Sequence, residues 1–176
     1  MKTMNTRSSL SPGPSRTMFL GDIENLAGRP HGPTCSDVEA IAVAVHKVFG
    51  HLDPQCVLAC AHCNAPAVWY NWPDARYLVR SGPDGADLRL IQVVEDERVA
   101  ERFDTVIIGS ADGIFAGPAA QLASAGVHVI SALGRGRLSK KLQFAVREMV
   151  RLPIDWNPLD TTVAAAACVV EEQRSA

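Results

Sequence analysis

The stretch Asp104–Phe115, DTVIIGSADGIF, decides the fold. Its first half, Asp104–Gly109, holds an unbroken apolar run rather than an alternating one. That pattern predicts a strand buried on both faces, as in a parallel sheet covered by helices. The run stops at Ser110-Ala111-Asp112-Gly113, and Ile114–Ala125 then reads as a helix closed by Gly126.

The same alternation extends in both directions. Upstream, Thr17–Asp22 (TMFLGD) predicts a short buried strand ending at an acidic loop, and Ile23–Pro33 predicts irregular chain rich in Gly and Pro. Ser36 and Glu39 have the spacing of a capping box, and Val38, Ile41, Ala42, Val45, Val48 and Phe49 follow at helical intervals up to Gly50. Gln55–Ala61 predicts a second strand, Pro66–Trp72 a short helix, and Arg76–Arg80 a third strand. After the turn Ser81–Gly85, a helix is expected over Ala86–Glu101. Downstream, Val127–Ala132 predicts the fifth strand. Leu138, Leu142, Ala145, Met149 and Leu152 predict an amphipathic helix from Leu138 to Leu152. Strands alternating with helices imply an α/β domain with a mostly parallel five-stranded sheet, helices on both faces, and functional loops at the carboxyl ends of the strands. The expected organisation is a disordered extension over residues 1–16, one domain over 17–152, and a tail over 153–176 in which Thr161–Val170 fits a helix or a strand.

Composition narrows the classes. The chain has 176 residues, 47% of them hydrophobic and 20% charged, with a formal net charge of −2. These values suit one globular domain and argue against a protein that coats nucleic acid through bulk positive charge. No apolar run reaches the roughly 18 residues of a membrane span, and residues 1–17 lack the apolar core of a signal peptide. A cytosolic setting is expected, with the five cysteines as reduced thiols. Cys56, Cys60 and Cys63, beside His51 and His62, lack the second separated ligand pair usual in zinc sites. The run QCVLACA reads instead as a buried strand.

Three acidic residues fall where such a sheet exposes its loops. Asp22 ends the first strand, Asp112 follows the fourth, and Asp87 opens the helix that precedes the fourth. Each alone suits a turn or a helix cap. Together at one edge they would repel unless neutralised, and oxygen donors of this kind suit Mg2+ or Mn2+, which activates water for phosphodiester hydrolysis.

These motifs resemble those of NYN domains, a branch of the PIN-like nuclease superfamily. GDIENL (Gly21–Leu26) is similar to that family's opening D-x-x-N. GADLRL (Gly85–Leu90) is similar to its second motif, and DTVIIGSADGIF to its strand followed by S-G-D-x-D-F. Gln121, Gly126, Val129, Ser139 and Leu142 follow its closing pattern. The resemblance covers about residues 17–152. It implies a three-layer sheet of order 3-2-1-4-5 and a divalent-metal-dependent ribonuclease. Asp22, Asp87 and Asp112 would be metal ligands, Asn25 would orient the first loop or touch a metal-bound water, and Ser110 would support the ligands from behind or contact phosphate. The sequence departs from the family at Ala111, at Ile114, where a further carboxylate is usual, and at Val146. Glu24 is a candidate substitute ligand. A non-catalytic RNA- or protein-binding module is the alternative, kept open by Ile114. A phosphatase-like use of Asp22 as nucleophile is a third reading.

Arg135, Arg137, Lys140 and Lys141 follow the fifth strand on the same edge and are candidate RNA-phosphate contacts. Trp69, Tyr70 and Trp72 read as packing residues, with base stacking as the alternative. Whether a second copy or another protein is also a partner stays open at this point.

Overall fold

A computed structural model describes residues 15–29 and 32–156. The expected N-terminal disorder over residues 1–14 and the expected element at Thr161–Val170 lie outside the described residues. The sheet has strands β1 (Thr17–Asp22), β2 (Gln55–Cys60), β3 (Arg76–Val79), β4 (Thr105–Gly109), β5 (His128–Leu133) and β6 (Glu148–Arg151). Their order is β3-β2-β1-β4-β5-β6, and every neighbouring pair is parallel. The α/β class and the order of the first five strands follow the expectation; a sixth strand extends the sheet.

Side-chain alternation along the strands sorts the core into two layers. Met18 and Leu20 of β1, Val106 and Ile108 of β4 and Val129 of β5 face one way. They pack against α4 (Gly85–Asp96), α5 (Val99–Arg102), α6 (Ala116–Ser124) and α7 (Lys140–Ala145). Phe19, Leu58, Ile107 and Ile130 face the other way, against α1 (Ile23–Ala27), α2 (Cys35–Phe49) and α3 (Ala65–Asn71). β1 and β4 are central, which is why their apolar runs are unbroken.

Local chemistry moves several boundaries. The segment after β1 is helical, not irregular. Asp22 caps it by accepting from the amides of Glu24 at 3.0 Å and Asn25 at 3.1 Å. Gly28 ends it at φ +57°, a left-handed conformation in which a Cβ would also meet Arg135. The capping box of α2 lies two residues earlier than the Ser36–Glu39 spacing implies. Thr34 accepts from the Asp37 amide at 3.1 Å, and the Thr34 amide donates to Asp37 at 3.0 Å. Thr34→Ala should therefore cost about 1 kcal/mol, the usual worth of such a cap. A chemical-denaturation midpoint unchanged from wild type would show that the box contributes nothing.

The expected helix Leu138–Leu152 stops at Ala145, because Val146 turns extended (φ −106°, ψ 152°). Leu138, Leu142 and Ala145 do pack inward, but Met149 is 47% exposed. The chain gains more by pairing β6 with the open edge of β5 than by another helical turn. β6 also shapes the functional edge, since Arg151 donates to the carbonyls of Gly134 at 2.6 Å and Gly136 at 3.4 Å. Beyond β6, Leu152, Ile154 and Trp156 pack on the second core layer, so the tail begins attached to the domain. Arg16 is likewise anchored, its amide donating to Asp104 at 2.8 Å. Among the described residues, no helix is long and apolar enough to cross a membrane.

Candidate active site

The carboxyl ends of β1, β2 and β4 carry three loops that side chains tie together. Asn25 of α1 accepts through Oδ1 from the Ala111 amide beyond β4, at 2.9 Å. Glu24 accepts through Oε1 from the Ala61 amide at 2.7 Å and from Asn64 Nδ2 at 2.6 Å, both beyond β2. Glu24 is thus a clamp between loops rather than a substitute metal ligand. This role depends on the β1–β2 register, in which Asp22 sits opposite Ala59.

Asp22 and Asp87 meet inside this frame. Both are buried, at 5% and 7% exposure, and their carboxyl groups are in hydrogen-bonding contact. Burial first, and then the bond to Asp87 and its charge, push the Asp22 carboxyl up to about 8. Asp87 is also raised, by burial and by the negative fields of Asp112, Asp84 and Glu24, against the opposing bond to Asp22. Two carboxylates in contact cannot both ionise cheaply, so at neutral pH the pair holds one shared proton. Asp87 Oδ1 is buried and has no hydrogen-bond partner. Asp87 is also a lining residue of a cavity of about 240 Å3, with Asp22, Glu24, Asn25 and Asp84. A buried acceptor left without a donor is costly, which makes this oxygen a natural place for a water or substrate proton.

Asp112 is brought to the same edge but not into the pair. Its Oδ1 accepts from the Ile114 amide at 2.9 Å, capping the short turn Gly113–Phe115. The three residues expected to share one metal are thus held in different ways. Two of the carboxyls hold each other and the third holds a backbone amide. Among the described residues, no group of three or more His, Cys, Asp or Glu side chains is placed to hold a metal ion.

Ser110 is fully buried, its hydroxyl accepting from the Asp112 amide at 3.2 Å, so it supports the loop from within and is not a phosphate contact. Use of Asp22 as a nucleophile is disfavoured, because a protonated carboxyl that already accepts two amide hydrogens is a poor one. Cys60, at the end of β2, has its thiol pushed up to about 12, chiefly by burial, so it offers no thiolate at neutral pH.

A second cavity of about 830 Å3 adjoins the first at Asn25, which borders both. Its wall includes Asp112, Gly113, Ile114, Arg137, Lys140 and Lys141. Arg135 is not on this wall. Its guanidinium lies 4.0 Å from the centre of the Trp156 ring and 3.8 Å from Asp37. Ile114 fills the place of the absent carboxylate, half in the groove wall and half packed on the core. Trp72 is buried against Phe19 and Trp69 packs by Tyr77, while Tyr70 is 87% exposed.

No family model matches the chain, and no curated protein matches it. A crystal structure of VPA0982, a protein of unknown function from Vibrio parahaemolyticus, superposes with a TM-score of 0.60 at 14% identity, over 81% of this chain and 95% of that one. YcaC from Escherichia coli, described as an octameric hydrolase of unknown specificity, gives 0.45 at 15% identity over 78% of this chain and 74% of that one. YcaC from Pseudomonas aeruginosa, solved with hexane-2,5-diol and covalent acrylamide, gives 0.45 at 14% over 92% and 95%. None of the three is described as a nuclease or as binding RNA or metal. The expectation of a ribonuclease with an RNA partner is corrected: no comparison supports it, and the chain is similar in fold to a protein whose function is itself unknown.

Proposed function

We propose that the chain is a hydrolase whose Asp22–Asp87 pair performs general acid–base catalysis on a small substrate held at the carboxyl edge of the sheet. The observation that carries this reading is the contact of two buried carboxyls, one of them with an oxygen that has no hydrogen-bond partner. Asp87, holding the charge, takes a proton from water at Oδ1. Asp22, holding the proton, gives it to the leaving group as the water oxygen bonds to the substrate. The pair then carries one proton as before, now on Asp87, and relaxes by transfer across the shared bond.

The test is a panel of chromogenic phosphate and carboxylate esters, run with EDTA and again with added Mn2+. EDTA-resistant hydrolysis is expected, falling above about pH 8 as the pair loses its proton. Asp22→Asn should lower kcat at least about 100-fold, the usual worth of a positioned acid. Full activity in that variant, or a strict requirement for Mn2+, would sink the reading.

The PIN-like kinship suggested by the motifs is kept as a proposal about ancestry only. The strand order and the placement of Asp22, Asp87 and Asp112 at one edge support it. Among the described residues, Cys35, Cys56 and Cys60 are free thiols, which supports the cytosolic setting.

A further inference from the structure

We infer that the larger cavity beside the acid pair is a seat for a phosphate monoester, and that the substrate of the pair is a small molecule bearing one. The inference rests on the hydrolase reading for the reaction but not for the binding. Most arginines of the domain are committed elsewhere: Arg29 and Arg135 to Asp37, Arg76 and Arg102 to Glu97, Arg89 to Gln92, Arg98 to Glu101, and Arg151 to two carbonyls. Arg137, Lys140 and Lys141 have no ion-pair or hydrogen-bond partner among the described residues, yet all three converge on one cavity. Unpaired cations brought together repel, and an anion between them removes that cost.

Charge balance selects the class of anion. The wall carries three cations against one carboxylate, Asp112, leaving two positive charges. A phosphate monoester carries about −1.5 to −2 at pH 7, which closes that balance. A monocarboxylate would leave one charge uncompensated. The remaining groups also suit an acceptor-only ligand. Asn25 has its Oδ1 occupied by the Ala111 amide, so its amide hydrogens are what it has left to offer. Ser139 adds a hydroxyl to the same wall. The volume of about 830 Å3 lies in the range of small-molecule sites rather than of an extended polymer groove.

The seat also joins the chemistry. Asn25 borders both cavities, and the field of Asp112, a wall residue of the larger one, reaches Asp87. A phosphate monoester anchored by the cations therefore presents its bridging oxygen toward the acid pair. Water attacks phosphorus and loses its proton to Asp87. The bridging P–O bond breaks, and the leaving oxygen takes the proton of Asp22. Alcohol and inorganic phosphate are the products.

The experiment is calorimetric titration of the full chain with phenyl phosphate and, separately, with benzoate, which keeps the ring and exchanges phosphate for carboxylate. The lysines are exposed, so the Lys140→Gln/Lys141→Gln double variant should fold, and Lys47→Gln on α2 controls for charge alone. Phenyl phosphate should bind wild type and Lys47→Gln alike, bind the double variant at least tenfold more weakly, and bind Asp22→Asn at wild-type strength. Benzoate should bind at least tenfold more weakly than phenyl phosphate. Equal affinity of wild type and the double variant, or of the two ligands, overturns the seat. Lysine-dependent binding without release of phenol upholds the seat and counts against the acid-pair chemistry instead.

Discussion

Asp22→Asn is expected to make the protein more stable at neutral pH while removing the hydrolysis proposed above. The carboxyl titrates near 8 in the fold against a reference of 3.8. The sign follows from which state ionises first. Below pH 3.8 the acid is neutral in both states and carries no penalty. As pH rises the unfolded chain ionises while the buried acid does not, so folding loses about 1.4 kcal/mol per pH unit until the folded value is reached. At pH 7 the burden is about 4 kcal/mol, an upper estimate because Asp87 shares the titration. Asparagine has no charge to bury. Its amide oxygen still accepts from the Glu24 and Asn25 amides, and its NH2 donates to Asp87. For a domain of this size 4 kcal/mol corresponds to a rise in thermal midpoint on the order of 10 °C. The gain should be largest above pH 8 and absent below pH 4. Thermal melts of both proteins across that window decide it: parallel curves would show that Asp22 does not titrate as its burial requires. A stabilising change that abolishes activity is the signature of strain retained for function.

The parts of this architecture visible in the sequence are those set by nearest neighbours. The runs MFL in β1 and VII in β4 could only be central strands, and Asp22, Asp87 and Asp112 were placed at one edge by their positions at element ends. What the sequence could not show depends on register and on short distances. Glu24 was visible as an acid, but its bonds to Ala61 and Asn64 exist only because β2 pairs with β1 in one register. The segment Val146–Arg151 satisfies both helical spacing and an edge strand, and the free edge of β5 settles the choice. How the acid site is neutralised is hidden for the same reason. Three carboxylates at one edge imply neutralisation, but whether a cation or a proton supplies it depends on the contact between Asp22 and Asp87 and on the turn that takes up Asp112. The pairing of Thr34 with Asp37 rather than Ser36 with Glu39 belongs here too. It is fixed by Arg29, which reaches Asp37 from the first loop.

That last residue carries the other large effect. Asp37 is 2% exposed and is the acceptor for three groups, the Arg29 guanidinium at 2.8 Å from NH2 to Oδ1 and the Thr34 amide and hydroxyl, both at 3.0 Å to Oδ2; Arg135 adds an ion pair at 3.8 Å. Burial alone would raise its carboxyl, but the bonds from Arg29 and Thr34 outweigh it and hold the group below its usual value. Its stabilising charge is therefore present at neutral pH and is lost as pH falls through the acid range. Asp37→Ala removes the α2 capping box and leaves the Arg29 side chain, 10% exposed, without its carboxylate. Breaking a buried pair from one side costs about 3–5 kcal/mol, here a fall in thermal midpoint on the order of 10 °C. Asp37→Asn keeps an acceptor for Thr34 but not the charge, and should fall between the two proteins. Arg29→Met in the Asp37→Ala background removes the orphaned cation and should restore part of the loss, which separates a charge effect from a cap effect. The consequence reaches the active edge through Arg135, two residues before Arg137 and held between Asp37 and Trp156. Phenyl phosphate affinity should weaken in Asp37→Ala at a temperature where it is still folded. A loss below about 1 kcal/mol would place Asp37 with ordinary surface caps and remove it from the framework of the site.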